Sequence, residues 1–207
     1  MADPKQLKIV VINSLVVPEG ADESARRQAE RARALRIGLL EGGYNILAAL
    51  PPTGDLEAQI AHLQPDVIIV DEQSDAALKQ VVEATANARR PIVCFTDDND
   101  RTKMQAAIAA GVTAYVVAGL SSERVSAVLD VALARFEFEQ KLRHELSETK
   151  MKLAERKLIE RAKGLLMERQ RCSEDEAYRK LRRLAMDRNL KLSEVAQRIL
   201  DVADLLA

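Results

Sequence analysis

Four cations crowd one short stretch of this 207-residue chain: Arg179, Lys180, Arg182 and Arg183. On a helix they fall within about a turn and a half. Between Arg156 and Lys191 the chain carries 12 Lys/Arg against 6 Asp/Glu. One charged residue on a helix surface is ordinarily solvation, but a cluster this dense is the mark of a phosphate-binding face. Arg161 and Lys163 extend it on the N-terminal side, and Tyr178 sits beside it as either a core or a surface ring. Gly164, within an otherwise good helix-forming stretch, costs about 1 kcal/mol relative to Ala. Such a glycine points to close approach of another backbone, either a neighbouring helix or a nucleic acid, and helix packing is the simpler of the two. A second group of residues closes short apolar runs earlier in the chain: Asn13-Ser14, Asp71 and Thr96. Asp97, Asp98 and Asp100 follow; they read as a solvated loop capping a helix that begins near Asn99, rather than as metal ligands.

Composition narrows what these residues can do. Aromatic residues make up 3% and Trp is absent, so there are too few rings to expect an RNA-binding surface built mainly on stacked aromatics. The formal net charge is −1, but residues 151–207 carry 14 Lys/Arg against 10 Asp/Glu, and residues 1–150 carry 17 against 22. An acidic half joined to a basic half implies that one end meets a polyanion. Cys94 lies in an apolar run and Cys172 at a turn, which fits a reducing compartment and no disulfide. His62 and His144 stand apart from any set with metal-ligand spacing. There is no nucleophile elbow, phosphate loop or metal constellation, so no enzyme is expected and no cofactor is implied. Neither a leader pattern nor a membrane-length apolar run is visible, and the expectation is a cytoplasmic protein without membrane contact.

The elements that must position these residues follow from hydrophobic patterning. Strands are expected over Leu7–Ile12, Asn45–Leu50, Asp66–Val70, Pro91–Phe95 and Ala114–Val117, and helices over Asp22–Glu41, Thr53–Leu63, Ser74–Ala88 and Asn99–Ala110. Continuous apolar strands that alternate with helices mean a sheet covered on both faces, hence an α/β, doubly wound, five-stranded parallel sheet over residues 1–130. After Ser121 no breaker occurs until Gly164, so Ser121–Gln170 is expected to be nearly one helix. Leu142, Leu146, Thr149 and Leu153 keep a coiled-coil spacing, so residues 131–155 read as a helical connector; an apolar stripe otherwise left exposed favours pairing of two chains over a solitary solvated helix. Residues 156–207 form a small three-helix bundle over Leu153–Gln170, Glu174–Arg188 and Glu194–Leu206. Ser173 and Glu176 form a capping box, and three apolar faces meet: Leu158, Ala162, Leu165 and Leu166; Ala177, Leu181, Leu184 and Ala185; and Ile199, Val202 and Leu206.

In doubly wound sheets function gathers at the carboxyl ends of the strands. The element order, with Pro65–Glu72 (PDVIIVDE), Pro91–Asp98 (PIVCFTDD) and Gly111–Leu120 (GVTAYVVAGL), resembles the receiver domain of two-component response regulators. The resemblance implies that Asp71 matches the phosphoacceptor, Thr96 the hydroxyl that senses the phosphoryl group, and Tyr115 an aromatic switch position. A phosphorylated Asp needs a divalent cation such as magnesium and a nearby basic group. Receivers carry two acids after the first strand, where this chain has Asn13 and Ser14; acids come later, at Glu19, Asp22 and Glu23. Receivers also carry a Lys after the fifth strand, where this chain has Ala118. The expectation is a degenerate site, with Asp71 a polar strand-end residue, and magnesium only where that site works.

The segments Ile159–Met167 (IERAKGLLM), Ser173–Arg182 (SEDEAYRKLR) and Leu192–Ala196 (LSEVA) resemble the ANTAR domain, the family of antitermination regulators, over about Arg156–Leu206. That resemblance implies binding to paired hairpins in nascent leader RNA, which keeps an overlapping terminator from forming. It assigns RNA contact to Lys163, Gly164, Tyr178, Arg179 and Arg182; charge and position add Arg161, Lys180 and Arg183. A degenerate receiver joined to this module by a helix resembles the antiterminators of nitrate and nitrite assimilation operons. This implies a nitrate-sensing, NasS-like inhibitory protein as partner and control by sequestration. The alternative is a phosphorylation-activated response regulator, acting as an RNA antiterminator of another pathway or binding DNA.

Overall fold

A computed structural model describes residues 7–13, 23–52, 54–71, 75–117 and 122–205. The elements follow the order β1 (Lys8–Ile12), α1 (Glu23–Glu41), β2 (Asn45–Leu50), α2 (Leu56–Leu63), β3 (Val67–Val70), α3 (Asp75–Ala84), β4 (Ile92–Thr96), α4 (Arg101–Ala110), β5 (Ala114–Val117), α5 (Ser122–Gln170), α6 (Glu174–Arg188) and α7 (Leu192–Leu205). All five strands are parallel in the order β2-β1-β3-β4-β5. The chain order reverses between β1 and β3, which opens a crevice at their carboxyl ends. The doubly wound expectation is therefore what the chain forms.

Alternation along the strands sorts the core into two layers. Ile9, Val11, Val67, Ile69, Val93 and Phe95 face Leu35 and Leu39 of α1 and Val125, Leu129 and Ala132 of α5. Their neighbours Val10, Ile12, Ile68, Val70, Ile92 and Cys94 face Leu56 and Ile60 of α2, Val81 of α3 and Ala107 of α4. Each fully buried Ile, Leu or Val side chain contributes about 1.5–3 kcal/mol. Both faces must stay apolar, which is why the central strands read as unbroken apolar runs.

Several boundaries moved for local reasons. Helix α3 stops at Ala84, because the Thr85 hydroxyl donates back to the Val81 and Val82 carbonyls (both 3.0 Å) and competes with the next turn. Helix α4 starts after Asp100, whose carboxylate accepts from Thr102 N at 2.8 Å; it ends at Gly111, left-handed at φ 118°. Helix α7 starts at Leu192 rather than Glu194, since the Glu194 carboxylate reaches back to Lys191 N at 2.9 Å.

Helix α5 runs unbroken through 49 residues. Two compact units divide within it, Met1–Glu139 and Gln140–Ala207. Leu129 and Ala132 are fully buried in the first unit, so the helix still packs on the sheet beyond residue 130. No helix of the described residues is long and apolar enough to cross a membrane.

In the second unit Ala162, Leu181, Ala185, Val195, Ala196 and Leu200 form the core, flanked by Leu158, Ile159, Leu165 and Leu166. Two expected core positions are instead exposed: Leu184 by 40% and Val202 by 55%. Val195 with Ala196, and Leu200 one turn later along α7, take the place assigned to Val202. Leu206 lies outside the described residues.

Candidate nucleic-acid interface and the strand-end site

Helix α6 buries Ala177, Leu181 and Ala185, spaced one turn apart. At 100° per residue the opposite pole is Arg179, Arg183 and Met186, and one flank is Tyr178 with Arg182 a turn later. All five are exposed. Tyr178 is therefore a surface ring, not a core one. Ser173 fixes where this display begins. Its hydroxyl accepts from Glu176 N at 3.3 Å and its backbone N–H donates to Glu176 Oε2 at 2.9 Å, a complete capping box.

The cations are not equally available. Lys180 Nζ donates to Gln170 Oε1 at 2.7 Å, Arg179 Nε to the Asp175 carbonyl at 3.2 Å, and Arg183 lies 3.9 Å from Asp187. Arg161 and Arg182 make no hydrogen bond or ion pair among the described residues. Lys163 differs from all of these. Its side chain is 10% exposed, and its ammonium lies 2.6 Å from Glu174 and 2.9 Å from Glu160. The hydrogen bond to Glu174, then that to Glu160, holds the Lys163 pKa above the usual lysine range. The same contact holds the Glu174 carboxyl below the usual range.

Gly164 corrects an expectation. A Cβ built there meets nothing within 4 Å, so no neighbouring helix of this chain requires the glycine. It leaves a bare, exposed strip of α5 backbone instead. Acids of the bundle are largely engaged: Glu160 and Glu174 on Lys163, Glu176 and Glu194 in helix caps, Asp187 beside Arg183.

At the sheet edge, Asn13 and Asp71 follow paired strands and Thr96 ends the next one. All three are buried, at 1%, 0% and 4% exposure. Arg31 of α1 reaches between the carboxylates: its Nε donates to Asp71 Oδ1 at 2.8 Å, and its Nη1 lies 2.7 Å from Asp97 Oδ2. Thr96 Oγ1 accepts from Asp98 N at 3.1 Å. Asp98 pairs with Lys103 at 2.6 Å, which holds its carboxyl below the usual range, and Asp100 caps α4. Asp97, Asp98 and Asp100 are thus occupied in ion pairs and a cap. Beneath the edge, burial pushes the Cys94 thiol up to about 12, against a smaller opposing pull from Arg31. Tyr115 is half-buried against the α2–α4 layer. Ser14, Glu19, Asp22 and Ala118 lie outside the described residues. The described acids here are two carboxylates with a guanidinium already between them, which does not fit a divalent cation.

The ANTAR domain family model matches residues 147–200. The transcriptional regulatory protein PdtaR of Mycobacterium tuberculosis (strain ATCC 25618 / H37Rv) is 30% identical over 184 residues, 87% of this chain and 87% of that protein. The chain belongs to the ANTAR family of transcriptional antitermination regulators. A nitrate regulatory protein of Klebsiella oxytoca is 44% identical over 63 residues, which span 30% of this chain and 16% of that protein. Among solved structures, the signal receiver domain of a modulated diguanylate cyclase from Desulfovibrio desulfuricans G20 aligns with a TM-score of 0.47 at 18% identity, over 64% of this chain and 98% of that one.

In this ANTAR protein the residues singled out by sequence fall into two sets. Arg161, Gly164, Tyr178, Arg179, Lys180, Arg182 and Arg183 are exposed, and Lys163 is not. Sequence reasoning missed Arg31. The available signal was its place four and eight residues before the core residues Leu35 and Leu39, a charge in an apolar register. It also missed Glu174 as the partner of Lys163; two separate helices meet there, and no local spacing announces it.

Proposed function

We propose that this regulator holds paired hairpins of a nascent leader transcript on the exposed face of α6 and the adjoining strip of α5, so that polymerase reads through an overlapping terminator. The observation that carries this is that, among the described residues, the cations Arg179, Arg182 and Arg183 with Tyr178 on α6, and Arg161 with Gly164 on α5, are exposed and free or loosely held, while many acids of the bundle are engaged in caps and ion pairs. Arginines bind phosphate oxygens in this reading, and Lys180 joins them once it leaves Gln170. Tyr178 supplies a face for an unstacked loop base, and the bare backbone at Gly164 lets RNA approach closely.

The regulator is held inactive by a nitrate-sensing, NasS-like protein and serves nitrate or nitrite assimilation genes. The 44% identity to a nitrate regulatory protein over the RNA-binding part, and the Arg31 guanidinium set on Asp71, support control by release rather than by phosphate. Two copies pair through α5, where Leu142, Leu146 and Leu153 are about half exposed on one stripe. The protein acts in the cytoplasm and as a binder, not an enzyme. A second reading, phosphorylation-driven control, is favoured only by Asp71 and Thr96 standing together at the strand ends.

Retention of leader RNA with both hairpins, against a scrambled RNA of equal length and at several salt concentrations, tests the proposal. Selective binding that weakens with salt is expected. Equal binding to the scrambled RNA, or to duplex DNA, contradicts it.

A further inference from the structure

We infer that Lys163 does not touch RNA but positions the surface that does, its ammonium holding the first turn of α6 against α5 through Glu174 and Glu160. The inference rests on the RNA-binding reading above and concerns how that face is built.

A phosphate-binding lysine presents its ammonium to solvent as a mobile point charge. Lys163 does the reverse. Its side chain is packed at 10% exposure, and two of its three donors are already on carboxylates at 2.6 and 2.9 Å. Only one donor is left for a phosphate, and the two carboxylates beside it repel that anion. Glu160 is one turn back on the same helix, so its contact only orients the ammonium. Glu174 is the first residue of α6, directly after the Ser173 cap, so that contact crosses between helices. The ion pair and the capping box together fix where α6 starts and in which rotational setting. Tyr178 and Arg182 lie one and two turns along from Glu174 on the same helix, and the direction in which they are presented follows from that setting. At the other end of the same contact, Lys180 to Gln170 at 2.7 Å repeats the tie between the two helices. Exposed carboxylates at 54% and 65% make the clamp an adjustable one, set by hydrogen-bond direction more than by burial.

The test compares four proteins by leader-RNA affinity as a function of salt: wild type, Lys163→Gln, the charge swap Lys163→Glu with Glu174→Lys, and Arg182→Gln as a phosphate-contact control. Far-ultraviolet circular dichroism and thermal midpoints establish that each is folded. Lys163→Gln is expected to weaken binding by about tenfold, the size of coupling between contacting residues, with the log–log salt slope unchanged. Arg182→Gln is expected to lower that slope by about 0.7–0.9, one phosphate contact. The swap rebuilds a cation between two carboxylates with the cation on α6, and is expected to restore wild-type affinity. The inference is overturned if Lys163→Gln lowers the slope as Arg182→Gln does, if its affinity equals wild type, or if the folded swap stays as weak as Lys163→Gln. Wild type failing to prefer leader RNA over scrambled RNA is a different result: it removes the RNA-binding reading itself.

Discussion

Each unit of this protein is built around a cation set between two carboxylates. In the first, Arg31 sits between Asp71 and Asp97; in the second, Lys163 sits between Glu160 and Glu174. The geometry is alike and the surroundings are not. Asp71 is fully buried and Arg31 nearly so, which makes removal of either partner costly, because the charge left behind is buried and loses its main counter-charge. The carboxylates on Lys163 are open to water, which screens the pair. The first triad ties α1 to the carboxyl ends of β3 and β4. The second ties α6 to α5 and leaves the arginines beyond it exposed. One ion-paired cation is set in the core beside a buried carboxylate, and the other lies between carboxylates open to water.

The largest effect is expected from breaking the buried Arg31–Asp71 pair. Arg31→Met should cost about 3–5 kcal/mol of stability, because the buried Asp71 carboxylate loses the guanidinium that offsets its charge. Arg31→Met with Asp71→Leu should recover most of that loss. Chemical denaturation of the three proteins checks this, and a double variant as unstable as the single would show that Arg31 acts by packing alone. Next comes the cap: Ser173→Ala should cost about 1 kcal/mol and lower the thermal midpoint of the second unit, since the Glu176 N–H loses its acceptor.

The exposed triad should show its contribution through pH. The Glu174 carboxyl is lowered, so its part is present above the ordinary glutamate value of about 4.3 and is lost as pH falls through its depressed folded value. Lys163 is raised, so its part is present below the ordinary lysine value of about 10.4 and is lost as pH rises through its elevated one. The stability difference between wild type and Glu174→Gln should form a plateau across neutral pH and shrink at both ends. A difference that grows toward acid would contradict the assigned pair. The smallest change is expected from small phosphodonors: with Arg31 on Asp71, little label should enter, and dimerisation should not respond. Stoichiometric labelling abolished by Asp71→Asn would favour the phosphorylation-driven reading instead.

Most of the fold could be read from the chain because its pattern is locally dictated. β3 is four buried residues in a row, which only a sheet covered on both faces explains, and Ser173 with Glu176 announces a helix start three residues apart. The exposed arginines of α6 could be read for the same reason: helical spacing alone puts Arg179 and Arg183 opposite Ala177 and Leu181. What could not be read depends on contacts between elements distant in sequence. Arg31 meets Asp71 forty residues away, and Lys163 meets Glu174 across a turn between helices. Gly164 shows the same limit in reverse, since the sequence pointed to a packed helix where the structure leaves open space. Leu184 and Val202 were misplaced because a small bundle has room for only one narrow stripe per helix, and Ala185 and Leu200 already fill it.

The central claim is that the arginine face of α6 acts on a leader transcript without phosphate on Asp71. In vitro transcription across a leader with paired hairpins and an overlapping terminator tests it most directly, with wild type, Asp71→Asn and Arg179→Gln with Arg182→Gln. Readthrough is expected to rise equally with wild type and Asp71→Asn, with or without phosphodonor, and to stay at background with the arginine double variant. Readthrough that requires phosphodonor and is lost in Asp71→Asn, or that survives loss of both arginines, would contradict it.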